Sequence, residues 1–129
     1  MLDACGRNIN YVRISITDRC NLRCIYCMPE TGVTSFAHSE ILSYEEIIRL
    51  VRLLSQLDVH HIRITGGEPM ARRGCLDFVS SIHQIEGIES ISMTTNALLL
   101  YGCVDKAYQA GLARSTSAWT HWIPKSIDR

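Results

Sequence analysis

The sequence predicts an α/β fold that forms the N-terminal part of a (β/α) barrel, with about three strand–helix units. Short β-rich runs alternate three times with stretches whose apolar residues recur at helical spacing. This alternation is typical of parallel βαβ units. A complete barrel of this kind needs about 250 residues, whereas the chain has 129, so we expect only part of a barrel.

The first unit begins with a strand predicted at Tyr11–Ile16, where β-branched and aromatic residues dominate. A cysteine-rich loop follows it, from Thr17 to about Glu30. Ser43 and Glu46 have the spacing of a capping box, which marks the start of a helix. Apolar residues at helical spacing then predict an amphipathic helix from Tyr44 to Leu57.

Two further units follow with the same order of elements. A second strand is predicted at His61–Thr65, and it ends at the pair Gly66-Gly67. The remaining predicted elements are a helix at Leu76–Ile85, a strand at Ser90–Thr94, and a helix at Val104–Ala110 that ends at Gly111.

The pattern changes after Arg114. The segment 115–129 contains Trp119 and Trp122 but has no clear hydrophobic period. A fourth strand is due at this point of the alternation, yet the residues do not predict one. We therefore divide the chain into residues 1–114, the N-terminal part of a barrel domain, and 115–129, an aberrant tail.

The composition is that of an ordinary globular domain and excludes several functions. Hydrophobic residues make up 47%, charged residues 20%, and the formal net charge is zero. A neutral chain gives no electrostatic reason to expect a nucleic acid or an anionic membrane as partner. No run approaches the eighteen or so apolar residues of a membrane span, and the N-terminus has no signal-peptide pattern. We expect a cytoplasmic protein.

Three of the six cysteines, Cys20, Cys24 and Cys27, lie within eight residues. Clustering of this kind in a reducing compartment indicates metal or redox chemistry more often than a disulfide scaffold. Thiolates are the ligands that iron–sulfur clusters prefer, and three ligands for four irons leave one iron open for a substrate or cofactor. A structural zinc site needs a fourth ligand, and the nearest candidates are His38 and Cys5.

The spacing C-x₃-C-x₂-C, with an aromatic residue before the last cysteine, resembles the signature of the radical S-adenosylmethionine (SAM) superfamily. The sequence Thr-Gly-Gly-Glu-Pro at 65–69 is similar to the glycine loop that holds SAM in that superfamily. The segments 13–19, 28–30, 32–33 and 94–96 narrow the resemblance to the GTP 3′,8-cyclase family of molybdenum cofactor biosynthesis. The likeness runs from about Asp3 to Arg114.

The resemblance implies a [4Fe–4S] cluster and SAM as cofactors, with Cys20, Cys24 and Cys27 as cluster ligands. Tyr26 would contact SAM, although an aromatic residue there can also serve packing alone. Gly67 would let the backbone approach SAM without an intervening Cβ. Glu68 would accept a hydrogen bond from the SAM ammonium, although an acidic residue before proline is also an ordinary surface feature.

The resemblance further implies GTP as substrate, bound by Arg13, Arg63 and Thr94, and an electron donor as partner. Guanidinium groups match phosphate oxygens in bidentate geometry and stay charged. The alternative is that the two arginines are solvated charges on a strand face. Thr94 on its own is equally explained as a good strand residue.

Two further features near the predicted site receive weaker interpretations. Arg72 and Arg73 follow the glycine loop and either neutralise a phosphate or carboxylate or form a solvated loop pair. Ala97 replaces the glycine that the family has after Thr-Thr-Asn, which predicts strain in a turn.

Two histidines and two cysteines away from the cysteine loop are interpreted as structural. His60 and His61 are adjacent on a predicted strand and therefore point to opposite faces, which argues against a metal pair. Cys75 and Cys103 lack the ligand spacing and are interpreted as small hydrophobic residues.

A shift of the reading frame would explain the unusual sequence of the segment 115–129. Restoring one base before Ser115, with permitted codons, gives Val-Asn-Ile-Ser-Leu-Asp-Thr-Leu-Asp-Pro-Glu-Lys-Tyr-Arg-Ser, which resembles the family's fourth strand and the turn after it. The restored serine falls at position 118, a SAM contact in the family, where this chain has Ala118. We hypothesise a lost base near codon 115, and we expect the chain by itself not to turn over GTP. The competing reading is an authentic, divergent tail.

Two other functions remain open at this stage. One is a different radical SAM enzyme, such as a peptide-modifying maturase, which would share the cysteine loop but use another substrate. The other is a non-enzymatic zinc or iron–sulfur module. The two arginines and the segment 94–96 favour the GTP cyclase.

Overall fold

The computed structural model describes residues 2–24, 27, 36–37 and 40–117. Its centre is a four-stranded sheet in the order β1-β2-β3-β4, with every neighbouring pair parallel. The strands are β1 (Tyr11–Ser15), β2 (His61–Thr65), β3 (Ser90–Thr95) and β4 (Leu112–Ser117). Sequential strands are neighbours, as in the wall of a parallel barrel, which confirms the predicted α/β class.

Each pair of neighbouring strands is joined by a helix. These helices are α1 (Tyr44–Ser55), α2 (Cys75–His83) and α3 (Val104–Gln109), and a 3₁₀ turn (Pro69–Ala71) precedes α2. All three predicted helices are therefore confirmed, with ends that move by one or two residues. Within the described ranges, no helix has the length and apolar character needed to cross a bilayer.

The predicted capping box at the start of α1 is present. The Glu46 backbone N–H donates to Ser43 Oγ at 3.2 Å, and the Ser43 N–H donates to Glu46 Oε2 at 2.7 Å. These two bonds satisfy amide groups that the first helical turn leaves without partners. They fix where α1 begins.

The apolar core lies on one face of the sheet, between the strands and the helices. Alternate residues of β2 and β3 point into it and are fully or almost fully buried, namely Ile62, Ile64, Ile91 and Met93. Ile47, Val51, Phe78, Val79, Ile82 and Ala107 of the helices pack in the same cluster. The opposite face, called the open face below, carries the polar residues of the same strands.

The expectation that no strand follows Arg114 is wrong as far as Ser117. Strand β4 runs from Leu112 to Ser117 and pairs with β3 from Ile91 to Thr95, with a register shift between Ile91 and Ser92. Strand pairing uses backbone groups, so short polar side chains permit a strand that hydrophobic periodicity does not reveal. Residues 118–129, including Ala118 and both tryptophans, lie outside the described residues.

Candidate functional site

The cysteine loop leaves the C-terminal end of β1. Cys20 and Cys24 are partly buried, Cys27 is exposed, and all three thiols are free. The Leu22 N–H reaches Cys20 Sγ at 3.4 Å, and the Cys27 N–H donates to the Cys24 carbonyl at 3.0 Å. An N–H directed at sulfur stabilises thiolate and is one of the interactions that tune iron–sulfur clusters.

The donor set fits an iron–sulfur cube in its chemistry: three soft, unpaired thiols on one short loop. Among the described residues, no group of three or more His, Cys, Asp or Glu side chains is arranged around a single metal position. A cube makes a different demand, because each thiolate binds its own iron. Tyr26 lies outside the described residues, so its predicted contact with SAM stays a prediction.

The glycine loop after β2 packs directly on the beginning of the cysteine loop. The Gly67 N–H donates to the Thr17 carbonyl at 2.7 Å, and the Glu68 N–H donates to the Arg19 carbonyl at 2.8 Å. A Cβ at Gly67 would overlap the Arg19 backbone, and one at Gly66, whose φ is +148°, would overlap the Thr17 carbonyl. Glycine is therefore required for contact between the two loops, whether or not Gly67 also approaches SAM.

The Glu68 side chain has no solvent exposure (0%), so its reading as an ordinary surface residue is wrong. Its carboxylate accepts from Thr95 Oγ1 at 2.7 Å, from the Asn96 N–H at 2.6 Å and from the Met70 N–H at 3.0 Å. A buried carboxylate needs such partners because burial without them is costly. Glu68 thus joins the glycine loop to the end of β3, and its contact with SAM stays a prediction.

Two asparagines complete this network, and the sequence reading gave neither a role. Asn96 Nδ2 donates to Asn21 Oδ1 at 2.7 Å, across 75 positions of the chain. The signal for part of the network was available: Thr95 falls on the core side of the alternating β3, where a polar side chain needs a buried partner. The identity of that partner, Glu68, required the fold.

The three predicted GTP residues share the open face of the sheet. Arg13 on β1 and Arg63 on β2 are direct register partners, and Arg63 is in turn the partner of Ser92 on β3. Thr94 lies two residues beyond Ser92, toward the C-terminal edge, and side chains two apart on a strand point to the same face.

The two arginines differ in their surroundings. Arg13 is exposed, whereas Arg63 is partly buried, donates from Nε to Ser92 Oγ at 3.3 Å and has its guanidinium 5.9 Å from the centre of the Tyr11 ring. Arg63 is therefore anchored by neighbours and is not merely a solvated charge. The guanidinium groups and Thr94 are brought to one face, while their contact with GTP stays a prediction.

Arg72 is part of the scaffold that supports this edge of the sheet. Its guanidinium donates to the Ile16 carbonyl at 2.6 Å and to the Leu42 carbonyl at 2.8 Å, and it lies 4.2 Å above the Tyr44 ring. The reading of Arg72 as a solvated loop residue is wrong, whereas Arg73 is exposed. Arg72 ties the end of β1 to the segment before α1.

Two further cysteines and two histidines, Cys75, Cys103, His60 and His61, have structural surroundings. Cys75 is 3% exposed, and burial together with the nearby Glu68 charge raises the pKa of its thiol from 9.0 to about 12. Cys103 is partly buried and its Sγ lies 3.1 Å from the Leu99 carbonyl. His60 Nδ1 pairs with the Gly87 carbonyl at 2.7 Å and His61 Nδ1 with Ser90 Oγ at 2.9 Å, so the two rings have separate partners.

Loops from three successive strands therefore meet at the C-terminal edge of a parallel sheet, the edge at which barrel enzymes assemble their active sites. The profile of the radical SAM superfamily matches residues 14–115. The chain belongs to that superfamily, and membership implies a [4Fe–4S] cluster and SAM as cofactors.

Curated relatives make the similarity more specific. GTP 3′,8-cyclases from Thermodesulfovibrio yellowstonii, Syntrophomonas wolfei and Petrotoga mobilis are 55%, 50% and 51% identical to the chain over 115, 127 and 114 residues. These alignments cover 88%, 98% and 88% of the chain but only 36%, 39% and 35% of the relatives. The chain thus spans little more than a third of the length of these proteins.

Solved structures of BtrN have the same fold. One in an open conformation and one in complex with AdoMet and 2-DOIA both give a TM-score of 0.62, at 21% and 18% sequence identity. The matches cover 86% of this chain and 50% and 46% of those chains. At this level of identity the likeness supports the partial barrel and says nothing about substrate.

Proposed function

We propose that this chain derives from a GTP 3′,8-cyclase, a radical SAM lyase that converts GTP to 3′,8-cyclo-7,8-dihydroguanosine 5′-triphosphate in molybdenum cofactor biosynthesis. The observation that carries the proposal is the register pairing of Arg13 with Arg63 on the open face of the sheet whose C-terminal edge bears the cysteine and glycine loops. The relatives at about half identity are cyclases of this name.

Cys20, Cys24 and Cys27 would hold the cluster, and SAM would bind beside it. When bound, the two cofactors supply a one-electron cleavage of the sulfonium and a radical that removes hydrogen from the GTP ribose. The glycine loop would line the methionyl end of SAM, with Glu68 as a hydrogen-bond acceptor and Tyr26 alongside. A separate electron donor would reduce the cluster, and the free cysteines suit a reducing cytoplasm.

The open face would hold the nucleotide. The guanidinium groups of Arg13 and Arg63 would bind phosphate oxygens, because two fixed cations side by side match a polyanion. The hydrogen bond from Arg63 Nε to Ser92 Oγ leaves the terminal nitrogens of Arg63 to reach a ligand. Thr94 would offer its hydroxyl nearer the C-terminal edge, where the SAM-binding loops lie.

A binding measurement on the full-length protein with the reading frame restored tests this assignment. We expect Arg63→Gln to weaken GTP binding about tenfold or more, because one charged hydrogen-bond partner of the phosphates is lost. Arg49→Gln is the matched control, since Arg49 is an exposed arginine on α1, away from the open face. Equal GTP affinity of the two variants would point instead to another radical SAM enzyme with a different substrate.

We also retain the proposal that one base is missing near codon 115, and the register of β4 supports it. Ser115 is the register partner of the buried Met93 and therefore lies on the helix side of the sheet, and position 117 is the register partner of Thr95. The restored frame puts valine and isoleucine at these two positions, which agrees with the apolar side of a barrel strand. Sequencing the locus decides it: an intact codon series without a missing base contradicts the proposal.

A related expectation concerns the 129-residue chain itself. We propose that it does not convert GTP, because it spans little more than a third of the length of its relatives. Product detection after anaerobic reconstitution is the test. Appreciable cyclisation would refute this part of the proposal without affecting the cofactor assignment.

A further inference from the structure

We propose that Asn96 is a positioning residue for the first cluster ligand, acting through Asn21 on the peptide that donates to Cys20. The inference rests on the proposed function, because it takes Cys20 as a cluster ligand. Its basis is a chain of side-chain contacts through Glu68, Asn96 and Asn21, which we call the asparagine relay. The relay connects the loops that follow β2, β3 and β1.

The anchored end of the relay is the buried Glu68. Its Oε2 accepts the Asn96 backbone N–H at 2.6 Å, and its Oε1 accepts Thr95 Oγ1 at 2.7 Å. Glu68 has no solvent exposure, and a charge-assisted bond in such surroundings is strong and short. The backbone at Asn96 is therefore held in place from the interior of the protein.

The side chain of Asn96 has its orientation set by a second contact. Its Oδ1 accepts the Leu98 N–H at 3.1 Å in an Asx turn, which leaves Nδ2 as the group that faces Asn21. Nδ2 donates to Asn21 Oδ1 at 2.7 Å. One amide thus bridges a rigid strand end and the cysteine loop.

The free end of the relay acts on the cluster ligand. Asn21 directly follows Cys20, and the peptide between Asn21 and Leu22 carries the N–H that points at Cys20 Sγ at 3.4 Å. Hydrogen bonds to cluster sulfurs help set the reduction potential and stability of iron–sulfur centres. Fixing the position of Asn21 therefore fixes the Leu22 N–H that donates to Cys20 Sγ. Loss of the relay should make this hydrogen bond weaker.

Two substitutions remove the relay without removing a cysteine. Asn96→Ser keeps an oxygen that can accept the Leu98 N–H but is too short to reach Asn21. Asn21→Ala removes the acceptor from an exposed loop position and leaves the core intact. Asn21→Asp keeps an acceptor oxygen and serves as the conservative variant.

The first measurement is hydrogen exchange of the metal-free 129-residue chain, which needs no cofactor. We expect the Leu22 amide to exchange about three- to tenfold faster in Asn96→Ser and Asn21→Ala, the effect of losing one net hydrogen bond, and to stay slow in Asn21→Asp. Thermal melts of each variant monitor the fold. Unchanged Leu22 exchange in both of the disrupting variants would overturn the proposal.

The second measurement is iron release to a chelator from the anaerobically reconstituted chain, together with the cluster's midpoint potential. Both single variants should lose iron several-fold faster and shift the potential in the same direction. The double variant should be no worse than the more severe single one, because both remove the same contact. Additive effects would contradict the relay, whereas failure of the parent chain to hold a cluster would contradict the proposed function and leave the exchange result to judge the relay.

Discussion

The two faces of the sheet differ in composition: one packs the apolar core against the helices, and the other carries the polar residues of the candidate site. On the helix-covered face, Ile62, Ile64, Ile91 and Met93 are almost completely buried against three helices. On the open face, strands β1, β2 and β3 present Arg13, Arg63, Ser92 and Thr94. Because successive strand residues alternate between faces, one stretch of sequence supplies both stability and chemistry. Substitutions one residue apart should therefore have different consequences.

The largest expected difference compares two neighbours on β3. Ile91→Ala should lower the free energy of unfolding by about 2–5 kcal/mol, because it leaves a cavity in the core. Ser92→Ala should cost less than about 1 kcal/mol, since it loses only partly buried hydrogen bonds to Arg63 and the Ile62 carbonyl. Urea denaturation of both variants measures this contrast, and equal losses would contradict the division between faces.

The next effect is a pH dependence that belongs to the helix-covered face. The pKa of the Cys75 thiol is about 12 in the folded chain and 9.0 without burial, so the folded state holds this proton more tightly. The contribution of the Cys75 thiol to the free energy of unfolding is fully present well below pH 9 and is lost as the pH rises above it. The loss is roughly 1 kcal/mol between pH 8 and 10. Cys75→Ala should abolish this decline.

The control for that prediction is Cys5→Ala, which removes an exposed thiol and should keep the decline. Burial also raises the pKa of the Tyr44 hydroxyl above its usual 10.0, so a smaller decline from Tyr44 begins near pH 10 and is present in both variants. The difference between the two variants at pH 8, 9 and 10 therefore isolates Cys75. An identical pH profile for both cysteine variants would show that the thiol is not protected by the core.

A smaller effect is expected at the turn after β3, which belongs to neither face of the sheet. Ala97 has φ = 63°, a left-handed conformation that costs a residue with a Cβ about 1 kcal/mol. Ala97→Gly should therefore raise the midpoint of thermal unfolding. Ala107→Gly, in the middle of α3, should lower the midpoint, because glycine in a helix interior costs about the same free energy. The same Ala→Gly substitution should therefore stabilise the chain at position 97 and destabilise it at position 107.

The smallest effect concerns the end of β4, where residues 115–117 are all polar and do not alternate between apolar and polar. Ser115 is exposed but is the register partner of the buried Met93, and Ser115→Val should stabilise the chain by about 0.5 kcal/mol through strand propensity and apolar contact with that neighbour. Ser15→Val, at an exposed position on the open face of β1, provides the same propensity without a buried apolar register partner. A gain at position 15 as large as at position 115 would remove the structural support for a restored valine.

Much of this arrangement was predictable because it is local. Periodicity identified the three helices and the first three strands, and the Ser43–Glu46 box located the start of α1. The surroundings of Glu68 and Arg72 were not predictable, since most of their hydrogen-bond partners lie 27 to 56 positions away in the chain. Strand β4 was missed because backbone pairing, not side-chain pattern, forms it.

The cysteine loop is the part where sequence and fold support each other most closely. The spacing of Cys20, Cys24 and Cys27 suggested a cluster, and the fold adds an N–H directed at Cys20 Sγ and a glycine loop hydrogen-bonded to the segment just before it. The roles of Tyr26, Gly67, Glu68, Arg13, Arg63 and Thr94 toward SAM and GTP stay predictions.

The most direct test of the central claim is the iron and acid-labile sulfide content of the anaerobically reconstituted chain. We expect about four irons and four sulfides per chain, a full complement in Cys5→Ser, and loss of most of it in Cys20→Ser. One zinc per chain, or equal iron in the two cysteine variants, would contradict the assignment of Cys20, Cys24 and Cys27 as cluster ligands.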